Sequence, residues 1–193
     1  MKFISVIPAR KGSKGIINKN TLKINGRPLV EYTFRSAKSS LLKQNFVLTD
    51  CKKIKNIARR FNINSDYVRP RNLSGSKISL IENLFYFSNW VEKKIKFDYM
   101  VVLQPTSPLR NYKDINQSIR LIKKRKSLSL FSISSSLEHP YEVIKISKKK
   151  KWSFILNKAK KFYRRQDFDI NTFFINGAIY IIHRKLIKQK KMY

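Results

Sequence analysis

Near its amino end the chain reads Ile7-Pro8-Ala9-Arg10-Lys11-Gly12-Ser13-Lys14-Gly15, followed at a short distance by Lys19-Asn20. Glycines in such a loop let backbone N–H groups approach an anion closely. Arg10, Lys14 and Lys19 surround that backbone with positive charge, and Ser13 and Asn20 add hydrogen-bonding groups. These residue types suit a phosphate. The spacing is neither that of a Walker A loop nor G-x-G-x-x-G. On spacing alone the loop is a phosphate cradle or an ordinary turn in a lysine-rich chain. A second polar loop, Gln104-Pro105-Thr106-Ser107-Pro108-Leu109-Arg110, carries two prolines that stiffen the backbone and remove N–H donors. It reads as a rigid, shape-specific binding loop or as a structural turn.

The elements that must position these loops follow from hydrophobic patterning. Phe3 to Ile7 is a short strand-type run that Pro8 ends. Pro28 to Ser39 is expected to be a helix with proline in its first turn. Phe46 to Leu48 is a second strand, and Asp50 is placed to cap the helix that follows. Ile78 to Lys94 is the clearest helix, with Leu80, Leu84, Phe87 and Val91 on one stripe. Tyr99 to Leu103 is continuously apolar, as a buried parallel strand requires. A helix over Asp114 to Lys124, capped by Asp114, and a strand over Leu128 to Ile133 come next. Ser134 to Thr172 reads as irregular and basic, Asn176 to Ile182 as a final strand, and Lys185 onward as the start of a helix. Strands alternating with helices imply an α/β fold with a mostly parallel central sheet flanked by helices, whose ligands sit at the carboxyl ends of the strands.

Composition bounds the function. The 193 residues suffice for one domain with a real core. With 43 Lys+Arg against 11 Asp+Glu, the net charge is +32 at pH 7. That balance draws anions and suggests a polyanion partner. Yet lysine, isoleucine and asparagine all have A/T-rich codons, and the lysines are scattered, with one true run from Lys148 to Lys151. Genome composition accounts for much of the excess, and no nucleic-acid motif is recognisable. A single cysteine, Cys51, excludes a disulfide scaffold and a four-cysteine zinc site, and is expected to be inert. No apolar run reaches the roughly 20 residues of a membrane helix, and the N-terminus lacks a signal-peptide pattern, so a soluble, cytoplasmic protein is expected.

The wording of the motifs is more specific than their spacing. The N-terminal loop resembles the signature of the sugar-acid cytidylyltransferases, the acylneuraminate (CMP-sialic acid) synthetases and their relatives for pseudaminic, legionaminic and Kdo-type sugars. Further segments agree in order: Gly26-Arg27-Pro28-Leu29, Thr49-Asp50, Leu103-Gln104-Pro105-Thr106-Ser107-Pro108-Leu109-Arg110, Arg164-Arg165-Gln166-Asp167, and Asn176-Gly177-Ala178-Ile179-Tyr180-Ile181. The resemblance spans nearly the whole chain. It implies a Rossmann-like nucleotide-diphospho-sugar transferase fold and a transferase that joins CTP to the anomeric hydroxyl of a nonulosonic sugar acid, with loss of pyrophosphate, for surface glycans. It further implies nucleotide contacts from Ala9, Arg10, Ser13, Lys14, Lys19, Asn20, Arg69 and Ser79, with Arg10 and Lys19 as the catalytic cations. Sugar contacts would come from Gln104, Thr106, Ser107, Arg165, Gln166 and Asn176, with the Arg165 guanidinium matched to the substrate carboxylate. The segment after Arg69-Pro70 departs from the family, with Ser76 and Lys77 where Asp and Thr are expected.

By the same resemblance 1–193 is a single cytidylyltransferase domain in which 134–172 forms a dimerisation arm, and Arg165 serves the neighbouring subunit. A homodimer with no membrane or nucleic-acid partner is expected. His139-Pro140 matches a family pair, although a lone histidine is more often structural. Mg²⁺ is the implied cofactor, held in the family by an acidic segment beyond the last strand. No Asp or Glu follows Asp169, so no metal ligand is assigned. Asp167-Phe168-Asp169 can face two carboxylates one way, but it overlaps a motif in which the family places no metal. The chain reads as truncated relative to the family and is expected to be weakly active or inactive alone. The alternatives are a non-catalytic homologue that binds nucleotide and, more remotely, a basic nucleic-acid binding protein.

Overall fold

The computed structural model describes residues 1–12, 15–68, 78–156, 164, 168 and 171–193. The chain divides into two compact units, Met1–Phe131 with Gly177–Tyr193, and Ser132–Asn176.

The larger unit is built on β1 (Phe3–Pro8), β4 (Gln44–Leu48), β5 (Tyr99–Val102), β6 (Ser129–Ser135) and β9 (Phe173–His183), in the order β4-β1-β5-β9-β6. β1 pairs in parallel with β4 and β5, whereas β9 runs antiparallel to β5, with Val102 opposite Tyr180. β6 and β9 continue from this unit into the other.

The three parallel strands are apolar on both faces because both faces are covered. On one side Ile7, Val47, Val101 and Ile181 pack with Val30 and Phe34 of α1 (Leu29–Lys38), Ile54 and Ile57 of α2 (Lys52–Arg60), and Ile115, Ile119 and Ile122 of α4 (Tyr112–Arg125). On the other, Ile4, Val6, Phe46, Met100 and Ile182 meet Leu84, Phe87 and Val91 of α3 (Leu80–Val91) and Ile187 of α5 (Arg184–Lys188). The stripe expected on α3 is therefore the one it buries.

Two expected caps are placed differently. Asp50 does not cap α2, whose N-cap is Cys51 without a side-chain bond. Instead its Oδ1 accepts the Lys11 N–H at 2.6 Å, since a short carboxylate there meets the loop leaving β1 before it meets the helix. α4 starts two residues before Asp114. Asn111 is its N-cap, and Asp114 closes a capping box at the third position. Sequence reading also passed over a hairpin of β2 (Lys23–Ile24) and β3 (Arg27–Pro28). Its turn is Asn25-Gly26, both at positive φ, the dipeptide that a two-residue hairpin favours.

The stretch 134–172, expected to be irregular, falls in the smaller unit and holds regular structure. β7 (Ile144–Ile146) and β8 (Trp152–Phe154) form an antiparallel hairpin, preceded by a 3-10 turn at Pro140–Glu142. His139 caps that turn through Nδ1 and stacks on Phe168 at 4.2 Å, a structural use of the lone histidine. Leu137, Ile146, Trp152, Phe173 and Phe174 are exposed.

Candidate functional site

β1 and β5 end side by side, and the loops that leave them form a cleft of about 390 Å³. Pro8, Arg10, Gly15, Ile16, Lys19 and Asn20 line it from the first loop, and Gln104, Pro105 and Thr106 from the second. This is the carboxyl end of the parallel strands, where doubly wound sheets bind ligands.

The first loop is fixed at its base by three contacts. The Ala9 N–H donates to the Leu48 carbonyl at 3.0 Å and extends the β1–β4 ladder. Ala9 itself is fully buried and does not line the cleft. Asp50 holds the Lys11 amide. Asn20, buried at 7% exposure, donates from Nδ2 to the Arg10 carbonyl at 3.1 Å, so it sets the course of the backbone that presents Arg10. Lys19 opens a 3-10 turn, Lys19–Thr21, whose preceding Asn18 adopts a left-handed conformation. Arg10 and Lys19 thus reach one cleft from separate segments. Ser13, Lys14 and Arg69 lie outside the described residues.

The second loop is tighter. The Ser107 N–H donates to the Gln104 carbonyl at 3.4 Å, and the Arg110 N–H to the Ser107 carbonyl at 3.2 Å. Gln104 and Thr106 face the cleft, whereas Ser107 is not among its lining residues. Gly177 stands beside Gln104. A Cβ added there would lie 3.6 Å from Gln104 Nε2 and from the Tyr180 hydroxyl. Arg110, named in the sequence only as part of the motif, is 6% exposed.

Other expected residues have different surroundings. Ser79 is the N-cap of α3: its Oγ accepts the Glu82 N–H at 3.2 Å, and its own N–H donates to Glu82 Oε2 at 3.4 Å. Within the smaller unit, Asn176 Oδ1 accepts from the Ser132 hydroxyl at 2.6 Å and Nδ2 donates to Ser134 Oγ at 2.8 Å. Arg165, Gln166, Asp167 and Asp169 lie outside the described residues.

Chemically, the cleft offers two cations, an amide from Asn20, an amide from Gln104 and a hydroxyl from Thr106. No carboxylate lines it among the described residues, and these contain no cluster of His, Cys, Asp or Glu able to hold a metal. Mg²⁺ takes oxygen ligands and favours carboxylates beside phosphates. The residues described at the cleft do not fit that role.

A cytidylyltransferase family model matches residues 4–192, and the chain belongs to that family of nucleotidyltransferases. The chain is 30% identical to the CMP-N,N'-diacetyllegionaminic acid synthase of Legionella pneumophila, an alignment that covers all of this chain and 83% of that protein. It is 32% identical to an N-acylneuraminate cytidylyltransferase of Streptococcus agalactiae, covering all of this chain but 46% of the longer enzyme. Relatives of this kind are CMP-nonulosonic acid synthetases. Among solved structures, a CMP:2-keto-3-deoxy-manno-octonic acid synthetase complexed with CTP superposes with a TM-score of 0.70 at 18% identity, over 98% of this chain and 77% of that one. That likeness establishes the shared α/β fold.

Proposed function

We propose that this chain transfers CMP from CTP to the anomeric hydroxyl of a nonulosonic sugar acid and releases pyrophosphate. The observation that carries the reading is the single cleft in which Arg10 and Lys19 face Gln104 and Thr106. The sugar oxygen bonds to the α-phosphorus as the bridge to the β-phosphate breaks. Catalysis of such a transfer is positioning and charge stabilisation. Arg10 and Lys19 balance charge on the α-phosphate and the departing pyrophosphate, with Ser13, Lys14 and Arg69 as further nucleotide contacts by resemblance. Gln104 and Thr106 orient the sugar, with Ser107 as a further sugar contact by resemblance. A divalent metal, Mg²⁺ by resemblance, belongs to this chemistry.

Residues 134–172, which fall in the smaller unit, are proposed as a dimerisation arm. Leu137, Ile146, Trp152 and Phe173 are more than half exposed in that unit, and burial in a second copy would remove that apolar surface from water. Among the described residues no helix is long and apolar enough to cross a membrane. We place the protein in the cytoplasm, with its nucleotide substrate.

A second reading, a nucleotide-binding homologue without turnover, draws on the lack of a carboxylate in the described cleft. Incubation with CTP, Mg²⁺ and a panel of sugar acids, followed by mass detection of CMP-sugars, separates the two. A CMP-sugar product with equimolar pyrophosphate supports transfer. CTP binding by calorimetry without product supports the second reading.

A further inference from the structure

Where β5 ends at Val102, β9 runs on past Tyr180 toward Ala178 and Gly177. Beyond that point β9 has lost β5 as a partner, and the chain after β5 turns into the loop that carries Gln104. Two carbonyls, those of Gln104 and Ala178, face this opening, and one side chain fills it. Arg110 Nη1 donates to the Gln104 carbonyl at 3.0 Å and to the Ala178 carbonyl at 2.7 Å. Its Nη2 donates to Thr33 Oγ1 on α1 at 2.7 Å. The same helix holds the Arg110 main chain, whose carbonyl accepts from the Ser36 hydroxyl at 2.8 Å.

The guanidinium has no carboxylate within ion-pair distance among the described residues, and its Nε has no partner there. Burial pulls its pKa down to about 10, with Asp114 opposing. An apolar residue would fill the volume without burying a charge. What an apolar residue or a lysine cannot do is span two carbonyls and a hydroxyl at once with a planar fork.

We infer that Arg110 is a positioning residue for the acceptor sugar. It ties the β5–α4 loop, the start of β9 in this unit and α1 into one frame, and so presets the Gln104 amide beside Gly177 at the cleft. The inference rests on the transferase reading for its kinetic consequence and on the hydrogen bonds alone for its structural one.

The test uses the whole chain with Arg110→Met, Arg110→Lys and Thr33→Val. For Arg110→Met the expected result is a sugar-acid KM at least tenfold higher, with the CTP KM within twofold of the starting protein. Arg110→Lys keeps the charge and restores the melting temperature, but leaves the sugar KM raised. Thr33→Val, nearly isosteric, breaks one bond and raises the sugar KM about threefold, which keeps the test open if Arg110→Met fails to fold. An unchanged sugar KM in the folded variants, or equal rises for both substrates, overturns the inference. If the unaltered chain turns over no sugar acid, the transferase reading fails, and hydrogen exchange of the Ser107 amide decides the matter. Exchange at least tenfold faster in the variants, with the α2 amides unchanged, upholds the clamp. Equal exchange sinks it.

Discussion

Replacing Ser79 with alanine separates two roles for one hydroxyl. The structure makes Ser79 the N-cap of α3 in a reciprocal box with Glu82, whereas the family resemblance makes it a nucleotide contact. Loss of a serine N-cap costs about 0.5–2 kcal/mol. Both bonds of this box are long, at 3.2 and 3.4 Å, and exposed, which favours the lower half of that range, ~0.5–1 kcal/mol. Leu84, Phe87 and Val91 anchor the rest of α3 in the core, so only its first turn frays. In a chain of this size, roughly 2–4 °C of melting temperature accompanies each kcal/mol, so the variant should melt about 1–4 °C lower. Calorimetric titration with CTP should give an affinity within twofold of the unaltered protein. Ser79→Asp, which retains a capping oxygen, should recover the melting temperature. If Ser79→Ala bound CTP tenfold more weakly while melting normally, or Ser79→Asp abolished binding, the hydroxyl would have to lie at the nucleotide and the capping argument would be wrong.

Arg10→Ala and Lys19→Ala should each lower kcat/KM about 10²–10³-fold, the usual loss when one preorganised charge-stabilising donor is removed, while thermal melting stays near normal. Steady-state pyrophosphate release measures this. Gly177→Ala should destabilise the chain by roughly 1–2 kcal/mol, because φ is +75° there while the new Cβ meets only ordinary contacts. Urea denaturation reads the loss, and an unchanged midpoint would contradict the left-handed conformation. Burial holds His183 below the ordinary imidazole range, with Arg184 and Lys185 adding to the shift and Asp98 opposing it. The unfolded chain therefore takes up this proton more readily, and stability falls as pH drops through about 6.5 toward the folded value. Protonation also removes the Nδ1 acceptor that caps Lys185 at 3.2 Å. Comparing urea midpoints at pH 7.5 and 5.5, the fall should be smaller in His183→Asn.

Much of this architecture was legible in the residues, for physical reasons. β1, β4 and β5 are buried on both faces, so they had to be short continuous apolar runs, and α3 shows its buried stripe in its spacing. The loops at the ends of β1 and β5 could be read as the site because a parallel sheet delivers them to one edge. Other features depend on what lies nearby in space. Asp50 looks like a cap in sequence, but Lys11 of a distant segment reaches it first. β7 and β8 are short, exposed and interrupted by Lys145 and Ser153, so their alternation carries little signal. Arg110 takes its importance from Thr33 and Ala178, 77 and 68 residues away, which no local pattern connects. The Asn25-Gly26 turn, by contrast, had a readable signature.

The few acidic side chains are largely committed to holding the chain together. Glu31 pairs with Arg35, Glu82 and Asp114 serve helix starts, Asp50 and Asp98 bind backbone amides, and Glu92 meets Lys188. Few remain to neutralise the surface lysines from within, so small anions drawn from solution must shield them. Added salt should then act in opposite senses, easing mutual repulsion and toughening the fold while it competes with the triphosphate for the cleft. A single buffer series would show the melting point climb as nucleotide affinity declines.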